Sequence, residues 1–461
     1  FPPQTYPLAI RVDYFLRHLA RSHRVRAVTS APGASLDGVE IHRVKEHDAA
    51  RFTRWMQRLR LGKINDLLLW PDPFVLWILP ALYKAYRLVQ QERPDAIIAF
   101  AMPYSGAVVA ALLKQITGIP LIINLNDSPT CPDVNATHPS RLHAWANEAM
   151  EDWLVQTADS VVYVSKRNME RVRKRQPATH RSKFHLIRRG VRLADTPASA
   201  SSRPAGSPVQ IVYAGGFSGW HMHHNSSHAS SSPLKAWMRK MWRRWNRWGK
   251  YTTAPLSPRS HTPVYVGQAV QRLVEQHPEW SGRIQVQVYG NTFPDSIVAA
   301  VLRKYGLQDI VHVHEPRPHS EVLALMHDAD VLFLTLPDRP DGSPGGRISA
   351  KTYEYLTTAR PILAAVPPGE NRDYLEDKPG AFLSSPCDVE QMAVHLEPLV
   401  EASLSGTPTT FDRAHLRTLL QSTRRAEAFT RVLKQSVPKI ANASGDSDTL
   451  HSNTRPAHAP A

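Results

Sequence analysis

The sequence predicts an α/β protein of two parallel-sheet domains, and three observations carry that reading. Short apolar runs alternate with helix-spaced segments along most of the chain, as expected of buried strands with helices covering both faces. A stretch rich in Ser, Ala and Pro, residues 196–208, divides the alternation into two series. The 461 residues, 42% of them hydrophobic, suffice for two such cores.

The first domain is read over 1–195. Phe1-Pro2-Pro3 has the character of a turn that follows a first strand lying ahead of residue 1. Ile10 to Ala20 places Val12, Phe15, Leu16 and Leu19 at helical spacing, and Arg24 to Thr29 follows as a strand. Arg11 is either a phosphate or acceptor contact or an exposed helix arginine. Residues 51–70 set Arg51, Arg54, Arg58, Arg60 and Lys63 among Phe52, Trp55, Met56, Leu59 and Leu61, a pattern that suits a helix on an anionic lipid surface or a solvated basic face. The uncharged run 96–113 reaches the minimum length of a membrane span, but Pro103-Tyr104-Ser105-Gly106 cut it into a strand and a helix of about nine residues. With the strand Ile119 to Leu125 it forms a βαβ unit. That strand ends in Asn126-Asp127, at the carboxyl end where α/β folds place ligands, so Asp127 is a candidate base or acceptor contact. An Asx turn before Pro129 is the plain alternative. Ala158 to Ser165 gives the next strand, a basic helix runs to about Arg175, and Phe184 to Val191 closes the domain.

The second domain, 209–412, opens with the strand Val209 to Ala214 and the turn Gly215-Gly216, which lets a phosphate approach the backbone. An insertion at 217–261 follows. Its first part holds His221, His223, His224 and His228, whose spacing fixes no metal geometry, and no metal is expected. Its second part, 232–250, reads as a helix started by Ser232-Pro233 and stopped at Gly249. Trp237, Met241, Trp242, Trp245 and Trp248 form its stripe, and Lys235, Arg239, Lys240, Arg243, Arg244 and Arg247 cover the rest. Aromatic residues segregated to one side favour an anionic bilayer interface over nucleic acid. Then come a helix to Gln276, the strand Ile284 to Tyr289 ending at Gly290, a helix to Tyr305, the strand Ile310 to His314, a helix to Asp328 and the strand Val331 to Leu336. Arg413 to Lys434, within 413–436, is a final helix crossing back to the first domain. The segment 437–461 is low in apolar residues and expected to be disordered, so its Asp446-Ser447-Asp448 is a chance metal motif.

The chemistry concentrates in Asp341 to Val366. Gly342, Pro344, Gly345 and Gly346 make a loop, Ser349 is placed to cap, Ala350 to about Thr358 is a short helix, and Ile362 to Val366 is a strand. Arg347 and Lys351 stand at the helix start, where the dipole disfavours cations unless an anion lies there. Glu354 follows Lys351 at i+3 on the same face, suited to sugar hydroxyls. An exposed ion pair is the bland alternative. The run Lys351, Glu354, Tyr355, Leu356, Pro361, Ile362, Leu363, Ala364 resembles the donor helix of GT-B glycosyltransferases of the group 1, family 4 type, with Ala350 where that pattern has serine. Weaker echoes of the family are Phe1-Pro2-Pro3 with Arg11 and His23, Ala158-Asp159-Ser160, and Pro318 to Phe333. The resemblance implies two Rossmann-like domains facing a cleft and transfer with retention of configuration. It further implies a glutamate at 354 on the donor ribose, basic residues on the diphosphate, and the loop of His314 and Glu315 around the base. The family's earlier glutamate is Gly346 here, and no Arg or Lys follows Gly216 before Lys235.

A net charge of +16 calls for an anionic partner, and Cys131 and Cys387 are too few for a disulfide framework, which points to a reducing compartment. The expectation is a glycosyltransferase at the cytoplasmic face of a membrane. It would use Asp127 and Lys351 in catalysis, Gly215, Gly216, Gly290, Glu315, Gly345, Gly346, Arg347, Lys351 and Glu354 on a UDP- or GDP-linked donor, no cofactor, and a saccharide or lipid-linked acceptor in polysaccharide or glycolipid synthesis. The opposing class is a non-catalytic membrane- or nucleic-acid-binding protein on the same scaffold.

Overall fold

The computed structural model describes residues 7–30, 33, 35–45, 56, 67–192, 206–224, 237, 241, 244–245 and 248–437. Most of the basic segments 51–70 and 232–250, most of the linker and the whole tail lie outside them, so the readings made there are not addressed by the fold.

In the first domain α1 (Pro7–Leu19) leads into β1 (Val25–Thr29), which pairs in parallel with β2 (Val39–Arg43). After α2 (Ile78–Gln91) come β3 (Ile97–Ala101), α3 (Tyr104–Thr117), β4 (Leu121–Leu125), β5 (Thr137–His138), α4 (Arg141–Thr157), β6 (Ser160–Tyr163), α5 (Lys166–Arg175) and β7 (Phe184–Leu186). The strands β3, β4, β6 and β7 form a parallel sheet in that order, and β4 and β6 are wholly buried between helical layers. The uncharged run resolves into β3 and α3, and α3 is longer than expected because Tyr104 already belongs to its first turn. It stops at Gly118, which takes φ 68° and returns its N–H to the Lys114 carbonyl at 2.7 Å. Among the described residues no helix is long and apolar enough to cross a membrane. Arg11 fits neither reading made of it: it is buried, bonded to the carbonyls of Ile187 (3.0 Å) and Arg188 (3.4 Å), with its guanidinium 4.9 Å from the Phe15 ring.

The second domain runs β8 (Val209–Ala214), α6 (Trp220–His223), β9 (Tyr251–Thr252), α7 (Val264–Gln276), β10 (Ile284–Tyr289), α8 (Asp295–Tyr305), β11 (Val311–His314), α9 (His319–Asp328), β12 (Val331–Thr335), α10 (Ala350–Tyr355), β13 (Ile362–Ala365), α11 (Glu370–Leu375), β14 (Ala381–Ser384) and α12 (Val389–Leu404). Its parallel sheet has the order β11-β10-β8-β12-β13-β14, with Ile211, Tyr213, Val286, Val331, Phe333 and Leu363 in one core. Inside the insertion, β9 pairs antiparallel with β5 of the first domain, Tyr251 opposite His138.

The closing helix is two helices, α13 (Ala414–Leu419) and α14 (Ser422–Ser436). The break has a cause: Val191 bridges to Gln421, its N–H bonding the Leu420 carbonyl (2.7 Å) and its carbonyl taking the Ser422 N–H (2.9 Å). Backbone groups that would continue a helix are thus spent on a neighbouring segment. Beyond it α14 reaches the first domain, where Phe429 lies 4.8 Å from Phe15 and 6.2 Å from Phe100.

Candidate functional site

The second sheet reverses its winding beside β8, with β10 on one side and β12 on the other. A crevice opens at the carboxyl ends of such strands. Gly215 and Gly216 follow β8, Gly290 follows β10, and α10, the element directly after β8's neighbour β12, brings Lys351 across them. A Cβ at Gly215, whose φ is 137°, would stand 2.5 Å from Lys351 Cε and 2.7 Å from Nζ, so only glycine lets the lysine lie on this turn. The ammonium sits 5.0 Å from the centre of the Tyr213 ring. Burial lowers the Lys351 pKa to about 8, with Arg347 adding to the effect and Glu354 opposing it.

Behind the lysine, His261 braces the turn. Its Nδ1 accepts the Ser218 N–H (3.2 Å), which leaves Nε2 to donate to the Tyr213 hydroxyl (3.1 Å). Burial, followed by Lys351 and Arg347, lowers its pKa to about 4 and keeps it neutral. Glu354, one turn on from Lys351, bonds His319 Nε2 at 3.1 Å. His261 and His319 are site residues that no motif singled out, because each arrives from a different element.

The loop before α10 departs from expectation. Gly345 donates its N–H to Pro368 (3.0 Å), and Gly346 donates to Asp133 Oδ2 of the first domain (2.7 Å). Both donors assigned to a diphosphate are therefore engaged within the protein. Arg339 pairs with the same Asp133. A Cβ at 346 would fall 2.5 Å from Asn168 Oδ1, so the absence of a carboxylate there has a steric reason: the first domain occupies its place. Ser349 holds the N-cap position of α10 without a side-chain capping bond, and Asn371 Oδ1 accepts from the Ser349 N–H and the Thr352 hydroxyl (2.8 Å each). The helix ends at Tyr355, and the Thr357 and Thr358 N–H groups close shorter turns onto Glu354 and Tyr355. Arg347 is exposed beside this seam.

Glu370 ties the two domains together. It is buried and accepts from Ser165 Oγ (2.7 Å), the Lys166 and Arg167 N–H groups (2.8 Å each) and Arg188 (2.7 Å), so a carboxylate of the second domain caps α5 of the first.

In the first domain Asp127 is half-buried at the end of β4, and its backbone oxygen accepts from Tyr104 (3.1 Å). Asn124 and Asn126, on the same strand end, have side-chain atoms buried without a hydrogen bond. The loop that follows is pinned by the buried Glu151, which takes the hydroxyls of Ser128 and Thr130 (2.5 Å each) and Arg175 (3.1 Å). On the far side of the crevice Glu315 is exposed, whereas Tyr289 and His314 stack at 4.5 Å under Arg317, giving that edge an aromatic face. His223 is spent on Tyr305 and the Arg259 carbonyl, and among the described residues no group of His, Cys, Asp and Glu could hold a metal ion.

Residues 8–195 match the family model described as Glycosyltransferase Family 4. No curated protein matches the chain in sequence. Among solved structures, Anabaena HepE in complex with UDP-glucose superposes with a TM-score of 0.56 at 13% identity, over 94% of this chain and 97% of that one. The sucrose-phosphate synthase of Thermosynechococcus elongatus gives 0.55 at 13%, over 95% and 93%. The UDP-forming α,α-trehalose-phosphate synthase of Burkholderia xenovorans gives 0.58 at 15%, over 93% and 96%. The first domain thus carries the family 4 match, and across both domains the chain shares the GT-B fold of these structures.

Proposed function

We propose that the chain moves a sugar, with retention, from a UDP- or GDP-linked donor in the second domain to an acceptor at Asp127 in the first. The observation that carries this is Lys351 lying on the Gly215 turn at the sheet's switch point, with Glu354 one helical turn away. Glycosyl transfer builds charge on the leaving diphosphate, and Lys351 with Arg347 would stabilise it where other sugar transferases use a divalent ion. Glu354 would exchange His319 for ribose hydroxyls, and Tyr289 with His314 would offer the base a stacking surface. The complex of HepE with UDP-glucose supports a UDP-linked donor.

The acceptor is proposed to be saccharide or lipid-linked, in cell-surface polysaccharide or glycolipid synthesis, reached from the inner membrane face. Support comes from exposed apolar residues: Trp237, Met241, Trp245 and Trp248 of the insertion, and Leu142 and Trp145 of α4. Tyr251, just past Trp248, lies under Arg141 at 5.4 Å, so the two sets are neighbours.

The engaged N–H groups of Gly345 and Gly346 favour a second reading, a binding protein that no longer turns over. Release of UDP or GDP from a panel of nucleotide sugars separates the two. Turnover that is lost in Lys351→Ala and Glu354→Gln supports transfer, while a panel that neither reacts nor binds hands the case to the second reading.

A further inference from the structure

The insertion is closed at its base, and the closure lies under Lys351. Gly219 donates its N–H to the His261 carbonyl at 3.0 Å. A Cβ at 219 would fall 2.4 Å from the Pro258 oxygen and 2.7 Å from the His261 oxygen, so the limb that leaves the Gly215 turn touches the limb that returns to α7. Across this junction the Ser218 N–H (3.2 Å) and hydroxyl (2.9 Å) both meet Nδ1 of His261. That nitrogen is therefore an acceptor, and Nε2 carries the proton that goes to the Tyr213 hydroxyl at 3.1 Å. The hydroxyl in turn reaches the Gly216 carbonyl at 3.5 Å.

The Tyr213 ring is buried and stacked on Phe217, 4.0 Å between centroids, and Lys351 Nζ lies 5.0 Å from its centre. The groups facing that ammonium are Tyr213 from β8, His261 from the insertion, Arg347 from the loop before α10 and Glu354 from α10 itself. Glu354 is engaged with His319, so the ring and the Gly215 turn, rather than an ion pair, set the lysine's position. A long side chain held in this way keeps its place only while the ring keeps its own. The ring is fixed at one atom, its hydroxyl. The group that fixes it has to accept on one side and donate on the other without carrying charge. A neutral imidazole does both, whereas a cation at 261 would add a like charge beside Lys351 and Arg347. What His261 brings to the turn is the seat of a cation rather than another cation.

We propose that His261 is a positioning residue of the donor site: through the Tyr213 hydroxyl it fixes the aromatic floor on which Lys351 rests, which makes the base of the insertion part of that site. The inference rests on the reading of Lys351 as the cation of the diphosphate. His261 itself touches no substrate and acts only through Tyr213.

The test uses the full chain and four variants: His261→Phe, which keeps a ring without its bonds, His261→Gln, whose amide both accepts and donates, Tyr213→Phe, and the double variant His261→Phe with Tyr213→Phe. The first readout needs no nucleotide. Acetylation of Lys351 by acetic anhydride, followed by mass spectrometry across pH, gives the midpoint at which the free amine appears, expected near pH 8 in the wild type. Loosening the floor admits water to the ammonium, so His261→Phe and Tyr213→Phe should each raise the midpoint by about one unit. The double variant should raise it no further than either single one, since both act on one bond. His261→Gln should recover at least half of the shift. An unmoved midpoint in His261→Phe, a double variant that shifts by the sum of the two, or a glutamine no better than the phenylalanine overturns the proposal. Should His261→Phe fail to fold, Tyr213→Phe decides by the same midpoint. The second readout is UDP affinity by calorimetry at pH 7, expected to fall about three-fold in both single variants. Shifted midpoints with unchanged affinity uphold the seating of Lys351 and sink its phosphate role, whereas unmoved midpoints sink the seating alone.

Discussion

In the proposed transfer Lys351 carries most of the chemistry because of where its charge has been put. Its covered ammonium titrates near pH 8, against 10.5 for an ordinary lysine. Between those values the unfolded chain holds the proton and the folded chain does not, so this residue makes stability rise with pH across that window. Anion binding has the opposite dependence: UDP affinity measured by calorimetry should fall as pH rises through about 8. Lys351→Met should flatten that profile and weaken binding by ten- to a hundred-fold, the equivalent of about 1.5–3 kcal/mol for a charge-assisted hydrogen bond. A wild-type affinity that is level from pH 7 to 9 would remove Lys351 from the phosphate site. Gly346 invites the reverse experiment. Gly346→Glu restores the family's carboxylate, but its side chain meets Asn168, and the expected result is a loss of about 1–3 kcal/mol in denaturant unfolding with no gain in turnover. The spacing of Lys351 and Glu354 made them readable from one stretch of sequence. His261, Asp133 and His319 were not readable, since their roles exist only once distant segments meet.

At the scale of elements, the β-strands were the most legible parts. Val209–Ala214 and Ile284–Tyr289 have the limits expected, because buried apolar residues mark each strand and a glycine, Gly215 or Gly290, follows its last residue. Helices were less so. The closing helix reads as continuous because its periodicity survives the break, and only the bridge from Val191 reveals it. A cap supplied from another domain is equally hidden: α5 has Ser165 as its own N-cap, visible in sequence, and Glu370 as a second one, which is not. Glu370→Gln leaves Arg188 without its charge partner and weakens the hold on α5. Breaking such a buried pair costs about 3 kcal/mol, and thermal unfolding should begin at a lower temperature while UDP affinity stays within two-fold. If the melting curve does not move, the domains are held together by other contacts.

Across the whole molecule, the exposed tryptophans and the excess of positive charge lead to a membrane prediction. Flotation with vesicles containing anionic lipid should capture the wild type at low salt and lose it as ionic strength rises. Deleting 232–250 should reduce capture more than ten-fold, and Leu142→Ser with Trp145→Ser by a smaller factor. Capture that survives the deletion would assign the basic surface another partner. What the sequence by itself determined was the architecture and the short helix that carries Lys351 and Glu354, because hydrophobic periodicity, turn residues and a charged i, i+3 pair are local properties that act before any long-range contact forms. Only the tertiary structure decided which backbone donors of the glycine loop are already taken and what fills the space beside residue 346. Each of those depends on close approach between segments far apart in sequence, where tenths of an ångström settle whether a group is free.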